Sequence, residues 1–202
     1  MPTPKHARTD HPIHDLIARR WSPCGFDDRS VTDEDLRSVF EAARWAASSY
    51  NEQPWSYIIA TKADPNAHER LLSCLVEGNQ AWAQTAPVLA IGCTSRNFSR
   101  NGKPNAAAEH DLGLASASLS IEATARGLFV HQMIGILPDR VRELYDVPAE
   151  VLPLTGLAIG YAADPERLPE KFRERDLAPR GRKPLAEFVF GQTWGTASRH
   201  VQ

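Results

Sequence analysis

The chain has few cysteines, and none of them has the spacing of a metal or redox site. Cys24, Cys74 and Cys93 are widely separated, and three thiols cannot all pair within one chain. No Cys-x-x-Cys and no His-Glu-x-x-His motif occurs, so the sequence offers no zinc-binding pattern. Because unpaired thiols are typical of reducing compartments, we predict a cytoplasmic protein that binds no metal.

Long hydrophobic runs and an excess of one charge are also missing. No apolar segment is long enough to span a bilayer, and the first twelve residues, MPTPKHARTDHP, lack the apolar centre of a secretory signal. The formal net charge is -2, which gives no electrostatic reason to expect a nucleic acid or a membrane as a partner. The length of 202 residues suits one domain with a real core.

Three fingerprints of nucleotide binding and hydrolysis are absent as well. The chain contains no Gly-x-Gly-x-x-Gly, no Gly-x-x-x-x-Gly-Lys and no Gly-x-Ser-x-Gly sequence. Serines such as Ser48 and Ser49 have no obvious histidine and carboxylate partners. An enzyme without a recognisable acid, base or nucleophile set is typically one in which a bound cofactor supplies the chemistry.

Hydrophobic patterning predicts helices that alternate with short strands. Helices are expected after the capping sequence at Thr32, over 67–76, over 106–126 and over 138–145, with shorter helical stretches from the cap at Asp10 to Arg20 and through Trp82. Strands are expected over 55–61, over 88–94, from 128 and over 154–161. Gly78-Asn79-Gln80 is expected to end the second helix, and 95–105 to form a polar loop. This order of elements indicates α/β layering.

A polar elbow joins the first long helix to the first strand. The stretch 46–55 reads Ala-Ala-Ser-Ser-Tyr-Asn-Glu-Gln-Pro-Trp. Its serine and amide side chains both donate and accept hydrogen bonds, and Pro54 cannot continue a helix. The elbow is either a ligand site at the mouth of the sheet or an ordinary helix-to-strand loop.

Positive charge is concentrated at two points that lie far apart in the sequence. One is Arg19-Arg20, and the other is Arg180-Gly-Arg182-Lys183. The second point belongs to 165–184, a segment with a net charge of +3 that is typical of a solvated arm. Arginine binds phosphate through a planar fork of donors, so an anion site is possible where the arm folds back onto Arg20.

An ordered set of short motifs resembles the FMN-dependent nitroreductase family. The motifs are Arg19-Arg20-Trp21-Ser22, Phe26-Asp27, Ala47 through Trp55, Gly78-Asn79-Gln80 with Ala86-Pro87, Gly127-Leu128 to His131-Gln132-Met133, Ile159-Gly160-Tyr161, and Arg180-x-Arg182-Lys183-Pro184-Leu185. Each motif alone is modest, but together they follow the family's order over nearly the whole chain.

The resemblance implies an α+β, nitroreductase-like three-layer fold, with a central mixed sheet flanked by helices. The chain would form a single domain over 1–202, with a loose N-terminal tail at 1–10 and a C-terminal arm at 164–202. Two chains would form an intertwined homodimer that exchanges these arms and holds two FMN molecules at its interface.

The resemblance also implies which residues contact FMN. Arg20 and Ser22 would meet the phosphate and the ring edge, while Ser48 and Ser49 would come from the other subunit. Gln132 and Met133 would together cover one face of the ring. The full expected set is Arg19, Arg20, Trp21, Ser22, Ala47, Ser48, Ser49, Asn51, Gln53, Asn79, His131, Gln132, Met133, Ile134, Gly135, Arg180 and Arg182.

The implied activity is that of an FMN-dependent oxidoreductase that uses NADH or NADPH. It would reduce nitroaromatics, quinones or a related small-molecule acceptor by ping-pong hydride transfer, with no catalytic residue of the protein itself. An FMN-binding or sensing protein with little turnover, or a flavin-free relative, would carry the same motifs. Two positions depart from the family's pattern: Cys24 replaces a frequent cation near the flavin pyrimidine, and Trp82 replaces a residue that is often polar.

Overall fold

Helices and strands alternate along the chain in the computed structural model, which describes residues 5–201. The seven α-helices within these residues are α1 (Asp15–Arg19), α2 (Asp33–Arg44), α3 (Pro65–Leu72), α4 (Glu77–Ala83), α5 (Ala108–Ala125), α6 (Pro138–Tyr145) and α7 (Glu170–Leu177). The four strands are β1 (Trp55–Thr61), β2 (Val88–Ser95), β3 (Phe129–Met133) and β4 (Val151–Gly160). Most of the helices and strands predicted from patterning are therefore confirmed to within a few residues.

The strands form one sheet in the order β1-β2-β4-β3, and every pairing among them is antiparallel. The prediction of a mixed sheet is wrong for residues 5–201. The crossover through α5 does return β3 parallel to β2, but β4 lies between these two strands. Because β4 runs against both neighbours, no parallel pair forms.

Two hydrophobic clusters cover the two faces of the sheet and give the three layers that were expected. Alternation along β2 sends Val88 and Ala90 to one cluster and Leu89 and Ile91 to the other. The first cluster is closed by α2 and α5, and the second by α3, α4 and α6. Leu119 of α5 is completely buried, and burying a side chain of this size contributes roughly 1.5–3 kcal/mol.

The boundary between α3 and α4 differs from the prediction. The helix expected over 67–76 ends at Leu72, and Gly78-Asn79-Gln80, expected to break it, lies inside α4. Leu75 forms a bridge with Ile136, and the Val76 amide donates to the Gly135 carbonyl. These contacts with a distant segment end α3 four residues earlier than its apolar spacing suggests.

The start of the described chain and α7 of the arm are attached to the rest of the domain. Residues 1–4 of the predicted loose tail lie outside the described residues, but the Ala7 amide donates to the Ala18 carbonyl at 2.9 Å. The Lys5 ammonium donates to the Arg175 carbonyl of α7. The arm, predicted to be solvated over 165–184, therefore contains a docked helix, and the tail is not loose at Lys5 and Ala7. None of the described helices is long and apolar enough to cross a membrane.

Candidate cofactor-binding site

Three arginines converge where α1 ends. Arg19 lies in α1 and forms an ion pair with Asp15 at 2.6 Å, whereas Arg20 follows the helix and its guanidinium lies 3.4 Å from the Ser22 hydroxyl. Burial, followed by the positive charges of Arg180 and Arg182, lowers the pKa of Arg20. The C-terminal arm therefore brings the two basic points of the sequence together, and Arg19 points away from them.

Arg180 is anchored by two backbone carbonyls, and Arg182 lies at the surface. The Arg180 guanidinium donates to the carbonyls of Ala18 and Lys5 at 2.8 and 2.9 Å, while Arg182 is exposed. Within residues 5–201, neither of these arginines nor Arg20 forms an ion pair with a carboxylate. Clustered cations without acidic partners form a site for an anion such as phosphate.

A cleft of about 520 Å³ opens beside this cluster. Its walls are the N-terminal segment, α1 and the arm, represented by Ile13, Ile17, Arg180 and Leu185. Apolar and cationic groups therefore face one space, as a ligand with a charged end and an apolar body requires.

Asp176 of α7 anchors the chain just beyond Arg20, and no sequence motif points to this role. Both carboxylate oxygens lie 3.0 Å from the Cys24 amide nitrogen, and both residues are buried. Burial is the main cause that raises the pKa of Asp176, and it also raises the pKa of the Cys24 thiol to about 11. Cys24 is therefore a neutral, buried side chain, and the positive charges that act on its thiol are those of Arg175 and, more weakly, Lys5.

The polar elbow is strained and held from both sides. Tyr50, Asn51 and Gln53 have φ values of 54°, 56° and 52°, a left-handed conformation that is unfavourable for residues other than glycine. The Ser48 hydroxyl accepts from the Gln53 amide, and the Ser49 amide donates to the buried carboxylate of Asp111. Backbone strain of this kind is concentrated at functional sites, which favours the ligand-site interpretation of the elbow.

His131 lies in β3 and contacts the loop after α1, and this contact defines its tautomer. Its Nδ1 lies 2.7 Å from the Pro23 carbonyl, which can only accept, so Nδ1 carries the proton and Nε2 of the neutral ring is an acceptor. The ring stacks on Trp82 at 4.2 Å. Trp82 is buried. The tryptophan that departs from the family's pattern therefore packs against one face of the His131 ring.

The residues after His131 do not face one surface. The Gln132 amide donates to the Ser116 carbonyl and the Ser120 hydroxyl of α5, whereas the Met133 side chain packs in the core on the opposite face. Adjacent strand residues alternate between faces, so the two side chains cannot cover the same face of a ring, as had been expected.

Asn79 and Gly135 meet at the end of β3. The Asn79 side-chain amide donates to the Gly135 carbonyl at 2.9 Å, and a Cβ at position 135 would overlap that amide. Ile134 is 72% exposed at this point. The packing therefore favours glycine at position 135, beside an exposed Ile134.

The described hydrogen bonds join these features into two groups. One group contains Arg20, Cys24, His131 and the arm, and the other contains the elbow with Asp111. No hydrogen bond in the described part of the chain links the elbow to the arginine cluster. Asp111 and Asp176 are the two functional candidates that sequence reasoning missed.

Two histidines, of which His68 is buried and His131 partly buried, make the stability of the protein depend on pH. Burial is the first cause that lowers the pKa of both His68 and His131, so the folded protein binds their protons less tightly than the unfolded chain does. Their contribution is fully present above the unfolded pKa of about 6.5 and is lost as pH falls below it. We expect a lower urea midpoint at pH 5.5 than at pH 7.5.

The His131→Gln variant should lose less of its midpoint over the same pH interval. His200→Gln, which changes an exposed ring, is the matched control and should behave as wild type. Equal pH sensitivity in wild type and His131→Gln would contradict the assignment of a neutral buried ring.

The fold is that of a three-layer α+β protein, and two arginines of its arm line a cleft close to Arg20. The nitroreductase family model matches residues 17–161, and the chain belongs to that family.

Individual relatives agree with this assignment. The chain is 34% identical to a crystal structure described as an oxidoreductase containing FMN, with a TM-score of 0.88 over 96% of this chain and 98% of that one. It is 33% identical to an uncharacterized 15.4 kDa protein of Mycolicibacterium smegmatis, over 61% of this chain and 82% of that protein. It is 27% identical to the FMN reductase [NAD(P)H] of Bacillus subtilis, over 69% of this chain and 61% of that protein.

Proposed function

We propose that this member of the nitroreductase family is an FMN-dependent oxidoreductase that takes electrons from NADH or NADPH. Its acceptors would be nitroaromatics, quinones or related small molecules, reduced in a ping-pong sequence. The FMN dependence and the use of NAD(P)H agree with family membership and with relatives named for both.

The convergence of Arg20, Arg180 and Arg182 carries the proposal for this chain. FMN differs from an uncharged flavin by its phosphate, and three guanidinium groups without acidic partners among the described residues match a phosphate in charge. Ile134, next to Gly135, is exposed, which leaves room for a flat ring at the end of β3. The donor set therefore fits FMN.

Each part of the site has a distinct task in this proposal. The arginines would bind the phosphate, the elbow and the Asn79–Gly135 contact would orient the ring, and the apolar body of the cleft would exclude water. When it is bound, FMN supplies two-electron redox chemistry, and the protein is not required to provide an acid or a base.

A homodimer would complete the site. The elbow shares no hydrogen bond with the arginine cluster of its own chain in 5–201, so we expect Ser48 and Ser49 of the partner subunit to lie beside the ring. Phe188 and Trp194 of the arm are 57% and 89% exposed, which suits an apolar anchor on a second copy. The cytoplasmic location stays a prediction, supported by three free and buried cysteines.

The test is the visible spectrum of the purified protein, followed without oxygen as NADH or NADPH is added. We expect a flavin spectrum that is bleached by one nucleotide and restored by an added quinone or nitroaromatic compound. Light scattering on the same sample should give the mass of two chains. A flavin that stays oxidised with both nucleotides would instead indicate a binding or sensing protein.

Riboflavin is the matched control ligand because it lacks only the phosphate. Protein stripped of flavin should rebind FMN far more tightly than riboflavin. Equal affinity for FMN and riboflavin would show that the arginine cluster does not bind the phosphate. No affinity for either compound would identify a flavin-free relative.

A further inference from the structure

An exposed cluster of two aromatic rings and one cation stands on the elbow. Tyr50 and Phe98 meet edge to face, with ring centroids 5.8 Å apart. The Arg100 guanidinium lies 4.1 Å from the centroid of Tyr50 and 5.0 Å from that of Phe98. Tyr50 is nevertheless 75% exposed, so the cluster, here named the Tyr50 platform, presents aromatic and cationic surface to the solvent.

The backbone on both sides of the Tyr50 platform is fixed. Tyr50 itself has a φ of 54°, so its position depends on the strained elbow. The Glu52 carboxylate accepts from the Ser99 amide at 2.6 Å, which ties the elbow to the 95–105 loop. Within that loop, Phe98 exchanges backbone hydrogen bonds with Lys103 and Gly102. An exposed tyrosine held in this way is not explained by packing, since it contributes little buried surface.

The charge around the platform is positive. The 95–105 loop carries Arg96, Arg100 and Lys103 and contains no acid. The Glu52 carboxylate faces this loop, and its pKa is lowered first by its hydrogen bond from the Ser99 backbone and more weakly by the positive charge of Arg100. That carboxylate is therefore engaged with the loop and leaves the guanidinium of Arg100 without an ion-pair partner in the described chain.

We propose that the Tyr50 platform recognises a planar aromatic compound that carries an anionic group. The aromatic ring packs on Tyr50 and Phe98, and the carboxylate or phosphate pairs with Arg100. The proposal rests on the proposed function, because Tyr50 follows Ser48 and Ser49, which we place beside the flavin. Two substrates share this chemistry: an aromatic acceptor that bears an acid group, and the nicotinamide nucleotide.

The first experiment compares 4-nitrobenzoate with 4-nitrobenzamide, which are matched in shape and differ in charge. The variant is Arg100→Gln, and the control is Arg96→Gln, which removes the same charge from the same loop without touching either ring. In Arg100→Gln, we expect the ratio of kcat/KM for the anion to that for the amide to fall about threefold to tenfold. In Arg96→Gln, this ratio should stay near that of the wild type.

A second measurement separates the two substrates. Reduction of the bound flavin by NADPH and by NADH, followed alone in a stopped-flow instrument, reports on the nucleotide. A selective loss of nucleotide affinity in Arg100→Gln, with an unchanged acceptor ratio, would identify the nicotinamide nucleotide as the anionic ligand. If Arg100→Gln changes neither the affinity for the nucleotide nor the ratio of kcat/KM for the anionic and the neutral acceptor, the proposal is wrong.

Calorimetry tests the surface without turnover. Oxidised protein should bind 4-nitrobenzoate more tightly than 4-nitrobenzamide, and Arg100→Gln should abolish this difference, while Tyr50→Ala should weaken both and Tyr50→Phe should retain both. A protein that purifies without flavin and cannot be reduced would defeat the proposed function, yet it could still show this selective binding. If the wild type binds 4-nitrobenzoate and 4-nitrobenzamide equally, the proposed role of the Tyr50 platform is wrong, even when the flavin chemistry is confirmed.

Discussion

Replacing Arg182 with glutamine should weaken FMN binding about tenfold to a hundredfold and leave the flavin-free protein at least as stable as wild type. A hydrogen bond to a charged group contributes about 1.5–3 kcal/mol, and each 1.4 kcal/mol is a factor of ten in the dissociation constant. The side chain of Arg182 is exposed, and among residues 5–201 it donates only to the carbonyl of Gly181 before it. It stabilises no other element, so its removal costs the fold nothing.

The direction in which Arg182→Gln changes the stability of the flavin-free protein distinguishes a ligand-binding arginine from a structural one. Arg182 is a neighbouring positive charge that lowers the pKa of both Arg20 and Arg180, so in the empty site these groups repel one another. Removing one of them relieves that repulsion, which is the behaviour expected of a site whose charges are arranged for a ligand. A purely structural arginine would instead lower the thermal midpoint and the FMN affinity together.

The control for Arg182→Gln is Arg173→Gln, which removes a positive charge from the same arm. Arg173 lies on α7 and its guanidinium is 3.8 Å from the carboxylate of Glu166, away from the three arginines. FMN binding measured by fluorescence quenching should be unchanged in this variant. Undiminished flavin occupancy in Arg182→Gln would remove the arm from the site.

The regular elements could be predicted where the sequence is locally consistent. The continuous apolar run of β2 predicts a strand that is buried on both faces, and this is what the sheet requires. The end of α3 could not be predicted, because Leu75 and Val76 keep helical spacing and are drawn out of the helix by Ile136 and Gly135. The antiparallel sheet was missed for a similar reason: strand order is decided by tertiary contacts.

In the candidate site too, residues with a local sequence signal could be predicted, and residues that act through distant contacts could not. The arginines and the elbow could be identified because residue type and spacing carry their chemistry. Asp176 could not, since an acid among alternating charges is typical of a solvated helix and its partner lies 152 residues away. Asp111 is likewise separated from Ser49 by 62 residues. Buried carboxylates that position a loop are visible only when both segments are placed.

Replacing Asp176 with leucine should destabilise the protein by about 1–3 kcal/mol, the cost of a buried donor that loses its acceptor. The Cys24 amide has Asp176 as its hydrogen-bond acceptor, and leucine offers no replacement. Because the same amide follows Arg20 by four residues, the variant should also bind FMN less tightly. Urea unfolding of the flavin-free protein gives the first quantity, and fluorescence quenching by FMN gives the second.

Asp176→Asn separates the hydrogen bond from the charge. Burial raises the pKa of Asp176, so ionisation of this carboxylate costs free energy in the folded protein. This cost lowers the stability as pH rises above the pKa of 3.8 that the group has in the unfolded chain. Asparagine keeps an acceptor oxygen for the Cys24 amide and removes this charge. We therefore expect its stability at neutral pH to stay within about 1 kcal/mol of wild type. A loss in Asp176→Asn as large as in Asp176→Leu would show that the negative charge beside Lys5, and not the acceptor, holds the segment.

The Cys24 thiol reports on the same contact independently of stability. Cys24 is 3% exposed, and its thiol has a pKa of about 11, so a thiol reagent should react slowly with the native protein. In Asp176→Leu, the loosened segment should expose one fast-reacting thiol, which should vanish when Cys24→Ser is added. Glu174→Gln, an exposed change on the same helix, should leave all three thiols slow. If the thiols of Asp176→Leu stay as slow as those of wild type, α7 does not hold the Arg20–Cys24 segment, and the arm contributes to the site through its arginines alone.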